Sequence, residues 1–526
     1  MKNKGIKQEQ LGVYTSGLES RREAVISSHF MHNLNLNLNF NLYTLEEFSK
    51  KTLIINSQLI IDILLPALLD ASHQFILERV VAAKVRAKAN FKNYGLSFDK
   101  DIGCAEVITE VMFDRQFLKG SQSNCSRLNL VKKIRELVNN KRPIKMVVPA
   151  LPYKSSSPLK SRGTMPDLSE VNFLLSLYEI AKTIDSIYCH ELGHASESMA
   201  LFTVISDGRR FNHFLNEADE LIDNYQKQLC WWINTLQFSN YVQLLDYKNV
   251  VSSLLPEKMQ LEKIKIRQNV REFYMGLILP LLNPYNMIQT MNKTIDLDPD
   301  PELCHPEGRF IPLFKSIIYI VNYPILLNYT KLHKKSYACL YRELTRHLFE
   351  PYTDLIENDF ALIEQMISEP QRKDQPTQEQ LFEYLRQSML REAWNATIDY
   401  LAEIRSDRDL AQEPITACLP DHIRWTIHAK PGQLAILTTT AFGDPVQPWH
   451  GAGVFKLTKN NKIKLYTLPI LSLEGLGAIP VMTGLQEESG LIKNQPLFYI
   501  HPDITFENSA DLFKQIKQSI TRKRKL

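Results

Sequence analysis

Two histidines separated by three residues, His190 and His194 in "HELGH", form one pattern in this chain that could do chemistry. On a helix this spacing places two imidazoles on one face, and zinc peptidases use such a pair with the adjoining glutamate as general base. A zinc peptidase needs a third ligand, and the downstream segment "NEADELID" offers Glu217 and Asp223. The pattern therefore makes a zinc metallopeptidase one hypothesis for this protein.

The residues around "HELGH" argue against a metal site. We expect the preceding apolar helix to end near Tyr188, and "GHASES" contains the Gly and Ser residues typical of a loop. A strand is then expected to begin near Met199. A short loop between helix and strand would not hold both imidazoles in ligand geometry, so we expect solvated histidines and no bound metal.

A second pattern, "PALPYKSSSPLKSRGTMPD", places Lys154, Lys160 and Arg162 in a serine-rich loop after an apolar strand. Ligands of open α/β sheets bind beyond the carboxyl ends of the strands. Cationic side chains beside hydroxyl groups suit a phosphate or a carboxylate. The loop is therefore a candidate anion site, and a solvated basic loop is the alternative interpretation.

A third pattern, "VISDGRRF", places Asp207 and Arg209 at the end of another apolar strand. An aspartate at this position can act as a base or orient an amine, and the arginine can pair with an anion. The alternative is a turn in which the aspartate caps the next helix.

Two later segments add candidate substrate contacts. "FGDPVQPWHGAGVF" holds Trp449 and His450 in a turn rich in proline and glycine, and a histidine fixed beside an aromatic ring can serve as general acid or base near neutral pH. "IRWTIH" adds Arg424 and His428. Each of these four residues has an ordinary structural interpretation when it is taken singly.

The elements that must position these residues alternate along the chain. A strand, helix, strand, helix order after residue 100 predicts a parallel sheet with crossover helices. The expected fold class is α/β: a Rossmann-like, mostly parallel sheet with flanking helices, an N-terminal helical extension and a large helical insertion. The expected domains are an extension at 1–95, the first part of the catalytic core at 96–255, a helical insertion or subdomain at 256–395, and the second part of the core, with a basic tail, at 396–526.

Composition limits the classes of function. The chain has 526 residues, of which 44% are hydrophobic and 23% charged, as in soluble globular proteins. A net charge of +4 is too small to indicate binding of nucleic acid or a membrane surface, and the basic end "TRKRKL" is expected to be a solvated tail. Seven scattered cysteines without a C-x-x-C pair indicate a reducing compartment. Polar residues interrupt both long apolar stretches, so we expect no membrane span and a cytoplasmic protein.

The combined segments resemble the isocyanide (isonitrile) synthase family, which includes the pyoverdine/paerucumarin-type enzymes and the spore-wall dityrosine-pathway enzymes. The resemblance lies in three stretches that occur in the family's order. They are "VVPALPYKSSSPLKSRGTMPDLSE", "VISDGRRFNHFL" and "YLAEIRSDRDL…HIRWTIHAK…PWHGAGVF". The chain has no dinucleotide fingerprint, P-loop or G-x-S-x-G elbow that would favour another enzyme class.

The resemblance implies a Rossmann-like enzyme that needs no dinucleotide or other cofactor. Such enzymes convert the α-amino group of an amino acid, typically tyrosine or tryptophan, to an isocyanide, and they take the carbon from ribulose 5-phosphate. An iron/2-oxoglutarate oxygenase often acts on the product. The third hypothesis is a non-catalytic α/β protein that binds a phosphorylated metabolite through residues 154–162.

This chemistry suggests a role for each candidate residue. An amine that condenses with a sugar ketone needs a base to deprotonate it and an acid to help expel water, while phosphate and carboxylate groups need cations. We therefore expect Asp207, His450 and Lys154 to be catalytic. The expected substrate- or phosphate-binding residues are Lys160, Arg162, Arg209, Arg424, His428 and Trp449.

Overall fold

The structure is a computed structural model. It describes residues 52–92, 103–119, 124–155, 161–192, 198–215, 217–277, 317, 320, 393, 395–427, 434–437, 446–483 and 495–523. The strands are β1 Leu53–Ile55, β2 Ile144–Pro149, β3 Ala200–Ser206, β4 Val242–Asp246, β5 Ile423–Thr426, β6 Leu434–Ala435, β7 Ala452–Leu457, β8 Ile463–Leu468, β9 Ile479–Thr483 and β10 Phe498–Ile500.

The helices alternate with these strands. They are α1 Leu65–Lys92, α2 Cys104–Met112, α3 Asn124–Asn139, α4 Leu168–Leu192, α5 Gly208–Phe211, α6 Asp219–Thr235, α7 Tyr247–Leu254, α8 Glu257–Leu277, α9 Pro414–Cys418, α10 Ile470–Gly475 and α11 Ser509–Ser519. Short 3-10 helices cover Asn212–Leu215 and Pro448–His450, and residues 395–408 are also helical.

The strands form two five-stranded sheets. The parallel sheet has the order β4-β3-β2-β5-β6, and all its neighbouring strands are parallel. The mixed sheet has the order β1-β9-β10-β7-β8, with β9–β10 and β7–β8 antiparallel. The predicted α/β class with mostly parallel strands is confirmed. The prediction of one sheet is corrected, because β1 and the strands after residue 450 form a second one.

The parallel sheet has a point where its strand order reverses. The chain proceeds from the central strand β2 to β3 and β4 on one side, and β5 and β6 lie on the other side. Strand β2 is apolar apart from the exposed Lys145, and its residues 146–148 are buried, as expected for a central strand of a parallel sheet. A crevice outside the carboxyl ends of the strands forms at such a reversal, here between β2 and β5.

Helix α4 connects the two sheets. It contacts β3 of the parallel sheet and β7 and β8 of the mixed sheet. Its approach to β7 is close, because a Cβ added at Gly453 would lie 3.0 Å from the backbone of Leu168. The amino end of α4 therefore lies against the mixed sheet, and its carboxyl end lies beside the start of β3, where Met199 N–H donates to Asp185 at 2.9 Å.

Three local expectations need correction. Helix α4 ends at Leu192 rather than near Tyr188. Glu217 is not helical, since the chain leaves a 3-10 helix at Leu215 and begins α6 only at Asp219. The expected solvated tail is wrong for Arg522, which is buried.

The domain boundaries stay predictions, but residues of the expected N-terminal extension contribute to the common core. Strand β1 pairs with β9, and α1 packs against α2 and α4. In the described part of the chain, one helix, Ser57–Phe91, is long and apolar enough to cross a membrane, and 44% of its most apolar window is buried in this fold. Most of the expected insertion at 256–395 lies outside the described residues.

Candidate functional site

The loop that follows β2 turns sharply at the carboxyl edge of the parallel sheet. Leu151 adopts a left-handed backbone conformation with φ of 57°, which is rare for a branched residue. Its carbonyl accepts a hydrogen bond from the Ser206 hydroxyl at the end of β3, at 2.9 Å. The neighbouring residues Tyr153 and Lys154, both buried, then enter two different clusters.

Asp207 lies at the end of β3, beside this loop. The next residue must be glycine, because a Cβ at Gly208 would lie 2.3 Å from the carbonyl oxygen of Pro152. Burial raises the pKa of the half-buried Asp207 to about 6, against the opposing effect of the Arg210 and Arg424 guanidiniums. A carboxyl group with this pKa can exchange protons near neutral pH.

A buried group of charges surrounds Arg210. Its guanidinium pairs with Glu403 at 3.1 Å and with Asp407 at 2.7 Å. Lys263 on α8 contacts the same two carboxylates at 2.7 and 2.6 Å, and the Tyr247 hydroxyl donates to Asp407 at 2.9 Å. The helical residues 395–408 are thereby fixed against the carboxyl edge of the parallel sheet, next to Asp207.

Lys154 enters a second cluster, at the amino end of α4. Its ammonium lies 2.5 Å from Asp167 and 3.2 Å from Glu170, and it donates to the Gly451 carbonyl at 3.0 Å. Burial alone would lower the pKa of Lys154, but the two carboxylates outweigh it and hold the pKa above its ordinary value. The Tyr225 hydroxyl donates to Glu170 at 3.1 Å.

The second cluster changes the prediction for Lys154. A buried ammonium already neutralised by two carboxylates is poorly suited to bind a substrate phosphate directly. Arg162 lines a small cavity next to it, together with Ser161, Gly163 and Gln495. Lys154 and its partner Asp167 line the same cavity, so Arg162 is the described cation of the predicted loop that lines it without belonging to the Lys154 cluster, while Lys160 lies outside the described residues.

The other predicted arginines already have protein partners. Arg209 pairs with Asp223 and lies 3.9 Å from both Asp219 and Asp246, so it faces α6 and β4. Arg424 pairs with Glu413 at 2.6 Å and still influences Asp207 electrostatically. The structure therefore places the Arg424 guanidinium near Asp207, whereas the Arg209 guanidinium points to the carboxylates of α6 and β4.

Trp449 and His450 form the 3-10 helix that precedes β7, and their ring centroids are 5.9 Å apart. The Trp449 ring is buried in the main apolar core. The turn is held to α4 because the Ser169 hydroxyl donates to the Pro448 carbonyl at 2.8 Å. Both residues are thus near the Lys154 cluster, whereas His428 lies outside the described residues.

The described part of the "HELGH" segment does not assemble a zinc site with Glu217. His190 is exposed in the last turn of α4, near the amino edge of the parallel sheet, and His194 lies outside the described residues. Glu217 lies beside Tyr153 at the carboxyl edge, and the seven residues of β3 span roughly 20 Å between the two edges. Among the described residues, no group of three or more potential ligands could hold a metal ion.

Several residues of these clusters carried no role in the sequence-based hypothesis: Tyr153, Asp167, Glu170, Arg210 and Asp407. Asp167 directly precedes α4 and Glu170 is its third residue, a common capping arrangement, so their spacing signalled a helix start. Arg210 adjoins Arg209, and only the tertiary structure distinguishes the two. Tyr153 follows the apolar residues "VVPALP", a context that is typical of a tyrosine packed in the core.

Comparisons with known proteins agree with the resemblance. The family described as pyoverdine/dityrosine biosynthesis protein matches residues 134–304. An L-tryptophan isonitrile synthase of Fischerella ambigua is 28% identical over 167 residues, which are 29% of this chain and 50% of that protein. An L-tyrosine isonitrile synthase of Xenorhabdus nematophila is 31% identical over 97 residues, which are 18% of this chain and 27% of that protein.

The matches thus span half or less of the length of these relatives. The crystal structure of the PvcA protein from Pseudomonas aeruginosa aligns with 76% of this chain and 100% of its own, at 17% identity and a TM-score of 0.42. The matched residues 134–304 include β2, β3 and the Lys154 and Asp207 positions. The chain is therefore similar to isonitrile synthases and, over residues 134–304, to the pyoverdine/dityrosine biosynthesis family.

Proposed function

We propose that this protein converts the α-amino group of an aromatic amino acid to an isocyanide, with ribulose 5-phosphate as the carbon donor. The similarity to L-tryptophan and L-tyrosine isonitrile synthases supports the reaction class and an aromatic substrate. The observation that carries the proposal is Asp207, a half-buried carboxyl group with a pKa raised by burial to about 6, at the carboxyl edge of a Rossmann-like sheet.

Asp207 is suited to begin the reaction. An amino acid carries a protonated amine at neutral pH, and the amine must lose a proton before its nitrogen can attack a ketone carbon. At pH 7 a carboxyl group with a pKa of about 6 is mostly ionised, so it can accept that proton. His450 is the second acid/base candidate of this proposal, and it lies on the turn that contacts the amino end of α4.

Cationic side chains are assigned to the anionic groups of the substrates. Arg162, beside the small cavity near Lys154, is the proposed contact for the donor's phosphate, with Lys160 in the same loop. Arg424 is the proposed partner for the amino-acid carboxylate, because its guanidinium already influences Asp207. A cytoplasmic location, and an iron/2-oxoglutarate oxygenase that consumes the product, complete the proposal.

The test is direct assay of the purified protein. It is incubated with L-tryptophan or L-tyrosine and ¹³C-labelled ribulose 5-phosphate, and mass spectrometry follows the gain of one labelled carbon and the loss of two hydrogens at nitrogen. Asp207→Asn should lower turnover roughly 10²- to 10⁴-fold, the range of general acid–base catalysis, with an unchanged fold.

Asp421→Asn is the matched control. Asp421 is 68% exposed, precedes β5 at the opposite edge of the parallel sheet, and forms only a surface ion pair with Arg142. Its loss should leave turnover unchanged. Full activity in Asp207→Asn would remove Asp207 from the mechanism, and binding of ribulose 5-phosphate without turnover of any amino acid would favour the phosphometabolite-binding alternative.

A further inference from the structure

Tyr153 holds a buried hydroxyl group that makes no hydrogen bond among the described residues. The side chain is only 5% exposed. Two other buried tyrosines have acceptors: the hydroxyl of Tyr225 donates to Glu170, and that of Tyr247 donates to Asp407. An unsatisfied buried hydroxyl costs about 1–3 kcal/mol, so such a group in a native fold calls for a partner outside the chain.

The Tyr153 ring is held in a fixed position against the start of α5. A Cβ added at Gly208 would lie 3.0 Å from the ring atom Cδ1 as well as 2.3 Å from the Pro152 carbonyl oxygen. The left-handed backbone of Leu151, two residues earlier, turns the chain toward this contact. The strained turn at Leu151 and the close contact that only glycine permits at position 208 together place the Tyr153 phenol beside Asp207. Backbone strain of this kind is typical of functional sites.

The electrostatic surroundings keep this hydroxyl protonated. Burial, together with the negative charges of Glu217 and Asp207 and the neighbouring Tyr400, holds the pKa of the Tyr153 phenol well above its ordinary value. A phenol in such surroundings donates a hydrogen bond and does not persist as a phenolate. The hydroxyl is therefore a hydrogen-bond donor for which the described residues supply no acceptor.

We propose that the Tyr153 hydroxyl donates its hydrogen bond to the carbonyl oxygen of the substrate that the amine attacks, next to Asp207. This inference rests on the proposed function. In the addition step a bond forms between the amine nitrogen and the carbonyl carbon, and the carbon–oxygen π bond breaks. The proton that Asp207 first takes from the substrate ammonium passes to solvent before the addition; during the addition Asp207 takes a second proton from nitrogen, and the oxygen takes the proton of the Tyr153 hydroxyl.

The cycle closes without another reactant. Protonated Asp207 returns its proton to the Tyr153 phenolate, so both side chains recover their starting states and the adduct is neutral at the former carbonyl. A group that serves only this step contributes little to binding of the ground state, so its loss lowers kcat more than it raises KM.

The test compares Tyr153→Phe with Tyr188→Phe. Phenylalanine keeps the ring that packs on Gly208 and removes only the hydroxyl. Tyr188 is the control because its buried hydroxyl lies 3.1 Å from the Arg142 carbonyl and 3.2 Å from the Leu137 carbonyl, away from Asp207. We expect Tyr153→Phe to lower kcat at least roughly 10²-fold, with KM for ribulose 5-phosphate nearly unchanged and the melting temperature equal or higher. Tyr188→Phe should lower the melting temperature and keep kcat.

Each result has a distinct meaning. If the wild type is active and Tyr153→Phe retains its kcat, the inference is overturned and the proposed function stands. If Tyr153→Phe loses melting temperature as Tyr188→Phe does, the hydroxyl has an internal partner and the inference is also overturned. If the wild type turns over no amino acid, the proposed function fails, and the inference that rests on it is overturned with it; the first two results separate failure of the inference alone.

Discussion

At the scale of single residues, Asp207 owes its chemistry to its surroundings. An aspartate in water is fully ionised near neutral pH and is a weak base. Burial at the end of β3 raises its pKa to about 6, while the guanidiniums of Arg210 and Arg424 limit the shift and Asp407 adds to it. The same residue type in a surface turn would only cap a helix.

The raised pKa of Asp207 predicts a pH dependence. Because the ionised carboxylate is the base, kcat/KM should fall as the pH is lowered through about 6. Arg424→Gln removes one of the charges that lower this pKa, so the inflection should move to higher pH. Rate measurements between pH 5 and about 8 on both proteins test this expectation. An inflection at the same pH in both proteins would contradict the assignment.

At the scale of elements, the amino end of α4 and its middle perform different tasks. At the amino end, Ser169 in the first turn and Asp167 directly before the helix both contact the Lys154 ammonium. Farther along, Glu179 accepts hydrogen bonds from Ser72 on α1 at 2.8 Å and from Arg522 after α11 at 2.6 Å. Helix α4 thus connects the start and the end of the described chain through one buried carboxylate.

Removal of Arg522 should test that connection. The Arg522 side chain is 3% exposed and Glu179 is fully buried, so Arg522→Ala removes the guanidinium that contacts a buried carboxylate. We expect a loss of about 3–5 kcal/mol in the free energy of unfolding. The double variant Arg522→Ala/Glu179→Gln should recover part of the loss in denaturant titrations. Arg142→Ala, which breaks the exposed pair with Asp421, is the matched control and should cost less than about 1 kcal/mol. A loss of that small size for Arg522→Ala would show that the tail is not held by this pair.

At the scale of the whole molecule, Lys154 joins the two sheets. Its backbone follows β2 of the parallel sheet, and its ammonium donates to the carbonyl of Gly451, next to β7 of the mixed sheet. Burial raises the pKa of Glu170 to about 7, although the Lys154 ammonium opposes this shift. The junction therefore contains one cation, the Asp167 carboxyl and a Glu170 carboxyl that is partly protonated near neutral pH.

Replacement of Lys154 by Met should destabilise the whole fold rather than only the reaction. At pH 7 the change leaves buried carboxylates without their cation, and we expect a loss of about 3–5 kcal/mol in the free energy of unfolding. The loss should shrink as the pH is lowered, because the orphaned carboxyls bind protons in the folded state at a higher pH than in the unfolded chain. Thermal unfolding of Lys154→Met and wild type across pH 5 to about 8 checks the trend. A penalty independent of pH would contradict the charged junction.

The sequence by itself determined those strands and helices whose apolar residues follow a local pattern, and it determined which residues stand at their ends. The apolar runs of β2 and β3 and the helical spacing of α4 depend on neighbouring residues, so they were predictable. Asp207 could be chosen as a candidate site residue for the same reason, since it directly follows a buried strand. The likeness of the motifs to the family also lies in contiguous residues.

Only the tertiary structure decided which charges meet. Lys154 lies 297 residues from Gly451, and Arg210 lies 193 residues from Glu403, so no local pattern relates them. The second sheet escaped prediction because β1 pairs with β9, far along the chain. Tyr153 became significant only when its hydroxyl proved to be buried beside Asp207. Burial and partners are properties of the folded chain, and they decide whether a charged or polar side chain supports the fold or serves the site.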